Sequence, residues 1–350
     1  EGLWKLSAGS GQSPHNKATV VTMLATALLA FLSQPSGAHR VGSKGYSLVE
    51  EGEKPLRLVM CITGQTARLE VGSKIKNFVK HNMAKGHTVD VVAVLDPRDD
   101  ARFVNTPEEE ASHPDNMTMF EGHASSYREV HYLQPDDPEV PRWYMEKISN
   151  SPKTWVDAKD RVQNHVRQFA TMEQCYGQIL DMEFESGHRY DEVFRVRDDS
   201  FLMAPVNPLK ETPEEDRPDI LATHCDNWYG VNDKGALMKR KVAETYFQGF
   251  FKGMFLEPLT EAKNPETITF EIVKQANFTL HRDGERMMVA PIRGDPKDGC
   301  IHCIFRECWS ELFEETNYQF SKDHEWCTID RTTHNYHEQP DFVVWDRLKH

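Results

Sequence analysis

The chain has 350 residues, of which 39% are hydrophobic and 27% charged. That supplies a substantial core for one large domain or two modest ones. Aromatic residues at 10% exclude a mainly disordered chain. A formal net charge of -14, with no Lys/Arg-rich run interleaved with aromatics, excludes a protein that tracks nucleic-acid phosphates. Net charge says nothing about a single cleft, so a local basic pocket for a phosphorylated small molecule is compatible with it.

Residues 18–32 read ATVVTMLATALLAFL, uncharged and preceded by Lys17. The run is shorter than the roughly 20 residues of a full span, and it fits the apolar core of a signal peptide or a signal-anchor in a thin membrane. An ordinary buried helix is the plain alternative. Residues 34–54 carry Pro, Ser and Gly without a period and read as a stem or linker. Two sequons follow, Asn116-Met117-Thr118 and Asn277-Phe278-Thr279. With the apolar run they predict a domain in the lumen of the Golgi or endoplasmic reticulum. The chain would be single-pass type II, or secreted after cleavage.

Further along, apolar residues 56–63 predict a buried strand ending at Gly64, and residues 73–83 a helix closed by Gly86. Residues 89–95 predict a second strand that closes on Asp96-Pro97. This order is that of a parallel crossover unit. A third strand is expected at 129–133. Residues 158–186 hold the strongest helical pattern, with Val162, Val166, Phe169, Met172, Tyr176, Ile179 and Leu180 on one stripe and Gly187 as its stop. Strands at 192–196 and 219–223 and helices at 236–247 and 268–275 complete the pattern. Their alternation predicts an α/β fold, a mostly parallel central sheet with helices on both faces. The organisation expected is an N-terminal segment at 1–33, the stem at 34–54, an α/β domain at 55–295 and a Cys-containing extension at 296–350. Acidic stretches 106–110 and 213–216 read as solvated loops.

The chemistry concentrates in YDEVFRVRDDS, residues 190–200. Arg195 and Arg197 alternate along the expected strand and share a face, which Asp199 continues if extension persists. Acids and arginines at the carboxyl end of a central strand stand where open α/β sheets bind ligands. A carboxylate pair there can hold Mg²⁺ or Mn²⁺, and the arginines can grip phosphate oxygens. A strand end with a local Arg/Asp ion pair is the structural alternative.

These residues carry a resemblance. Residues 168–200, with Gln168-Phe169, Cys175-Tyr176, Gly187 and YDEVFRVRDD, resemble the midpoint of a family of eukaryotic type-A-fold (GT-A-like, Rossmann-related) glycosyltransferases, many of them uncharacterised. Cys61-Ile62-Thr63-Gly64-Gln65 with Arg68 is similar to that family's first strand and its nucleotide-facing turn. Asn227-Trp228-Tyr229-Gly230-Val231-Asn232-Asp233, then Ala236-Leu237-Met238 and Arg240, is similar to the loop facing donor sugar and acceptor. The likeness spans residues 56–295. It implies a metal-dependent transferase using a nucleotide-sugar donor and a glycan or glycoprotein acceptor, attached to a membrane through the N-terminal segment if that is uncleaved. Carried over by position, Asp233 is the catalytic base of an inverting reaction, with retention equally open. Gly64, Gln65, Arg68, Asp96, Arg195, Arg197, Asp198, Trp228 and Asn232 are donor or substrate contacts, and Asp199 is the ligand of Mn²⁺ or Mg²⁺. The sequence has Arg197-Asp198-Asp199 where the family commonly has Asp-x-Asp. That departure keeps open a catalytically inactive luminal binding protein, or another metal-dependent enzyme on phosphorylated substrates. A cap on a following helix is the structural alternative for Asp233, and a turn residue for Asp96.

Seven cysteines stand at 61, 175, 225, 300, 303, 308 and 327. Four follow residue 299, so cross-links are expected to concentrate there. Disulfides in an oxidising lumen are the simpler reading of Cys300-x-x-Cys303 with His302, and zinc the alternative.

Overall fold

The computed structural model describes residues 54–98, 120–149, 158–224, 227–259, 261–262, 264–295 and 300–303. The apolar segment 18–32, the stem, Asn116, the 106–110 stretch and Cys225, Cys308 and Cys327 lie outside them. Among the described residues no helix is long and apolar enough to cross a membrane.

Two parallel strands, β1 (Arg57–Gln65) and β2 (Thr88–Asp96), run side by side in the centre. Between them lies α1, a continuous helix through Gly72–Lys74, Ile75–Lys80 and His81–Ala84, whose middle turn is wound wider than an α-helix. Next come β3 (Ser126–His131), α2 (Arg142–Ser149), and α3 (Ala158–Ser186), a helix of 29 residues. The chain continues as β4 (Glu192–Arg197), β5 (Ser200–Leu202), β6 (Ile220–Ala222), β7 (Gly235–Lys239), and α4 (Arg240–Phe251), with a wider turn at Lys252–Leu256. Last are α5 (Pro265–Gln275), β8 (Leu280–Arg282), β9 (Val289–Asp295) and β10 (Cys300–Cys303).

Seven strands form one mixed, mostly parallel sheet in the order β3-β2-β1-β4-β7-β6-β8. Only β7 runs against both of its neighbours. A smaller sheet pairs β10, β9 and β5. Alternate residues of β1 feed two cores. Val59 and Cys61 face α3 and α4 with Val166, Phe169, Ile179 and Phe247. Leu58, Met60 and Ile62 face α1 with Ile75, Phe78 and Val79. Strands covered on both faces read as near-continuous apolar runs, which is why β1 and β2 were recognisable.

Two expectations needed correction. The stretch predicted as a helix from residue 236 opens with strand β7, and the helix begins only at Arg240. Ala236, Leu237 and Met238 are a short apolar run that joins a helix without a breaker, so periodicity alone could not divide them. The third strand lies earlier than expected, at Ser126–His131. The disulfide that the described residues contain joins Cys61 on β1 to Cys175 on α3, with Cα atoms 6.2 Å apart. The cross-links expected after residue 299 concern Cys308 and Cys327, outside the described residues, and Cys300 and Cys303, and this pair does not bear on them. The 213–216 loop holds the one-turn helix Glu214–Asp216, and it is solvated as expected.

At the amino end of β4, the buried Glu192 carboxylate accepts the N–H groups of Leu209 at 2.8 Å and Lys210 at 2.9 Å. Burial pushes its pKa up to about 7, and these two bonds only partly offset that. A raised carboxylate pKa gives stability that is complete below the unfolded value, near 4.5, and is lost as pH rises through about 7. The stability advantage of wild type over Glu192→Gln should therefore shrink by up to about 3 kcal/mol between pH 4.5 and 8. Denaturant melts at a series of pH values measure this. A pH-independent difference would contradict it.

Candidate active site

Chain order places β2 and β3 on one side of β1 and β4 on the other. The carboxyl ends of β1 and β4 therefore flank a topological switch point, where the loops diverge and leave a crevice. Helix α3 descends over this edge. Cys175 is bonded to Cys61, and Arg161 lies 14 residues earlier, roughly 21 Å along a helix. From Cys61 to the end of β1 is only about 13 Å. The first three turns of α3 thus overhang the strand ends and form the outer wall of the crevice.

The cleft so formed has a volume of about 530 Å³. Thr63, Gly64, Gln65 and Arg68 come from β1 and its turn, and Arg195, Arg197 and Asp198 from β4 and its end. Arg98 and Asp136 lie to one side, and α3 supplies Arg161, Asn164, His165, Arg167 and Gln168. A second cavity of about 250 Å³ shares Arg161, Asn164, His165, Gln168 and Arg197. It adds Trp228, Asp233, Asn264, Pro265 and Glu266.

Strand β4 stops at Arg197, so Asp198 and Asp199 occupy a turn and extension does not carry Asp199 onto the arginine face. Asp198 is fully buried. Its peptide N–H donates to Thr63 O at 3.0 Å, and its Oδ2 accepts Gln65 N–H at 2.8 Å and pairs with Arg68 at 2.8 Å. A Cβ at Gly64 would stand 2.0 Å from the Asp198 carboxyl carbon, and φ there is +149°. Residue 64 must therefore be glycine for two reasons, space and backbone conformation. Asp199 is also buried. It pairs with Arg197 at 2.9 Å and stands 3.7 Å from Arg68, and it does not line the cleft.

Beneath the turn, α1 turns polar side chains inward. Lys74 Nζ donates to Asp198 O at 3.1 Å, Ser200 O at 2.5 Å and Glu70 O at 2.6 Å. Asn77 donates to Leu202 O at 2.5 Å, and Ser73 accepts Leu202 N–H at 2.9 Å. Burial holds the Lys74 ammonium below its ordinary pKa, against the pull of Glu70. These bonds satisfy backbone groups that β5 would otherwise bury unpaired, and they fix the height of the acidic turn.

Asp233 lines the second cavity and bonds two residues that both cavities share, Arg197 and Gln168. Its carboxylate bonds Lys234, Arg197 at 2.8 Å and Gln168 at 3.1 Å, and its carbonyl accepts from Arg195. Burial pushes its pKa up, but Lys234, Arg197 and Arg195 together outweigh burial and hold it well below the carboxylate range. A strand follows Asp233, so it caps no helix. Arg197 is held above its ordinary value, because Asp199 and Asp233 outweigh its own burial, whereas burial lowers that of Arg195.

Among the other expected contacts, Asp96 is buried at the end of β2 and bonds Arg98 at 2.5 Å, so it reaches the cleft only through that arginine. Asn232 is buried and accepts Lys234 N–H at 2.6 Å, which shapes the loop rather than the cavity wall. Trp228 is 38% exposed and lines the second cavity with φ +47°, next to Tyr229 at +67°. Two consecutive aromatics in the left-handed region are strained, a feature that recurs at functional sites. The loop is held by Val231 N–H to Glu266 O at 3.0 Å and by Arg282 to Gly230 O at 2.9 Å.

Sequence reasoning missed the polar wall of α3. Arg161, Asn164, His165 and Gln168 recur at three- and four-residue steps, the same period that identified the apolar stripe. His165 Nδ1 lies 2.9 Å from the Tyr144 hydroxyl. Enclosure by the surrounding protein, with Arg161 beside it, brings the imidazole pKa down to about 3, despite Asp233, so it is neutral at physiological pH.

The residues present do not fit a divalent metal. Asp198 Oδ2 is taken by Gln65 and Arg68, which leaves its buried Oδ1 as a single unpaired oxygen, and Asp199 is buried beside Arg197 and does not line the cleft. Among the described residues no three His, Cys, Asp or Glu side chains gather to hold an ion.

No family model matches the chain, and no curated protein matches its sequence.

The clearest local test is Gly64→Ala. A methyl overlapping the Asp198 carboxylate would displace the acidic turn and cost at least about 2 kcal/mol of stability. Equal melting temperatures for wild type and Gly64→Ala would refute the contact.

Proposed function

We propose that this protein is a glycosyltransferase of GT-A-like fold, moving a sugar from a nucleotide-sugar donor to a hydroxyl of a glycan or glycoprotein. One observation carries the reading: an arginine-lined cleft at the switch point opens, through shared residues, into a second cavity with an aromatic side chain on its wall. The first cavity suits a diphosphate, and the second a sugar beside an acceptor. The strand order β3-β2-β1-β4 is that of a nucleotide-binding half-sheet, which agrees.

In the transfer the bond from the anomeric carbon to a diphosphate oxygen breaks, and that oxygen leaves with the electron pair. Arg195 and Arg197 lie where they would stabilise the charge that develops on it. The acceptor oxygen bonds to the anomeric carbon and gives up its proton. For an inverting reaction Asp233 is the base. With its arginine and lysine pairs intact it is a weak one. A diphosphate against Arg197 competes for that guanidinium and adds like charge nearby, and both raise the proton affinity of Asp233. Donor binding and base activation are coupled in this way. Asp233→Asn should lower kcat by about 100-fold or more while donor binding is kept or tightened, since a competing carboxylate is gone. Turnover of UDP- and GDP-linked sugars, with donor affinity measured separately, checks both halves. Unchanged kcat removes Asp233 as the base, and a panel in which no donor is consumed favours a binding protein.

The proposed location is the Golgi or endoplasmic reticulum lumen, either membrane-anchored or secreted. The buried disulfide between Cys61 and Cys175 and the exposed Asn277 after α5 support it. Expression in a eukaryotic cell should give a glycosidase-sensitive mobility shift, reduced by one step in Asn277→Gln. An unshifted protein in the cytosolic fraction would contradict this.

A further inference from the structure

Six arginines line the larger cleft against two aspartates, in a chain whose formal charge is -14. Three of the six are neutralised by direct contact: Arg68 by Asp198, Arg197 by Asp199 and Asp233, and Arg98 by Asp96 and Asp136. The other three touch no carboxylate. Arg195 bonds Asp233 O and Thr63 Oγ1, the latter at 3.3 Å. Arg167 bonds Pro135 O at 2.9 Å, Asn164 Oδ1 at 2.8 Å and the carbonyl of Asp136. Arg161 makes no hydrogen bond or ion pair among the described residues, although it lines both cavities. The Nε groups of Arg68 and Arg195 are buried and have no hydrogen-bond partner. Buried donors without acceptors are uncommon, and these two outnumber the one unpaired acceptor of the cleft lining, Asp198 Oδ1, so the balance of the cleft favours an added acceptor.

We propose that this cleft binds a diphosphate through guanidinium groups alone, with no divalent cation, and that Arg161, Arg167 and Arg195 supply the charge a metal would otherwise provide. Naming the ligand a nucleoside diphosphate rests on the transferase reading above; the anion chemistry does not. A diphosphate brings two to three negative charges and many acceptor oxygens. That matches three guanidiniums with no carboxylate contact and two Nε donors that lack an acceptor. Guanidinium forks suit phosphate oxygens in pairs. A divalent cation in the same place would add charge to an already positive cleft. It would find only one unengaged oxygen, Asp198 Oδ1, since arginines hold the other Asp198 oxygen and pair with Asp199. The family resemblance implied metal dependence, and the donor set of this chain disagrees with it.

The test is calorimetric titration of the full chain with inorganic pyrophosphate and with UDP, in EDTA and again in Mn²⁺. The inference expects each Kd in EDTA to lie within about threefold of that in Mn²⁺. Arg161→Gln and Arg167→Gln should each weaken pyrophosphate about 10-fold. Arg161 holds no partner among the described residues, so its variant should melt with wild type, which keeps the test independent of folding. Lys76→Gln, on the exposed side of α1, should bind unchanged. Binding lost in EDTA and restored by Mn²⁺ would overturn the inference and leave the nucleotide-sugar reading standing. Unchanged pyrophosphate affinity in both arginine variants would also overturn it, as would no binding of either probe in either buffer. Metal-free pyrophosphate binding with no turnover of any donor supports the inference and defeats the transferase reading instead.

Discussion

The contact between Gly64 and the Asp198 carboxylate sets where the rest of the site lies. A buried carboxylate fills the volume a side chain at residue 64 would need, and its oxygen takes a peptide N–H from the next residue. This joins the ends of β1 and β4 more tightly than strand pairing does, because pairing ends where the strands end. Arg68 follows from it, since the same oxygen holds its guanidinium. Asp199 and Arg197 follow in turn, and Arg197 reaches Asp233. A chain of alternating charges runs from the first turn of the sheet to the loop before β7. Removing one partner leaves its neighbour as an uncompensated buried charge, which costs more than the pair itself contributes.

The acidic chain and the basic cleft are compatible because they occupy different places. Exposed carboxylates at Glu214, Glu215 and Asp216 are solvated and carry much of the negative balance cheaply. The arginines of the cleft are partly shielded from water, where each charge weighs more. Overall charge therefore excludes long nucleic-acid tracks but leaves room for a small polyanion.

The fold was legible in the sequence where a residue pattern had one physical meaning. Residues 56–63 and 89–95 are near-continuous apolar runs because both faces are covered, and α3 showed its stripe over about five turns. The pattern failed where it was short: Ala236, Leu237 and Met238 fit strand and helix alike. The disulfide was not legible, since Cys61 and Cys175 are 114 residues apart, one in an apolar run and the other on the apolar stripe of α3, where a cysteine passes as packing. In the site, Arg195, Arg197 and Gly64 were found because they stand at a strand end beside a turn. Arg161, His165 and Arg167 were not, because they lie on a helix whose apolar face drew the attention. Asp199 was placed by assuming that β4 continues, and the turn at Asp198 removes it from the cleft.

The long helix has a mechanical consequence. Its lower half is fastened to the sheet by the Cys61 to Cys175 bond and by Glu183, which takes both ends of the Arg240 guanidinium at 2.7 Å. Its upper half stands past the strands and walls both cavities. A beam clamped at one end can bend but cannot slide. Any widening of the cavities that involves α3 must therefore come as flexure of its first turns. The two chambers share that wall, so they would open or narrow together, and neither occupant could adjust the width of its own chamber without being felt by the other.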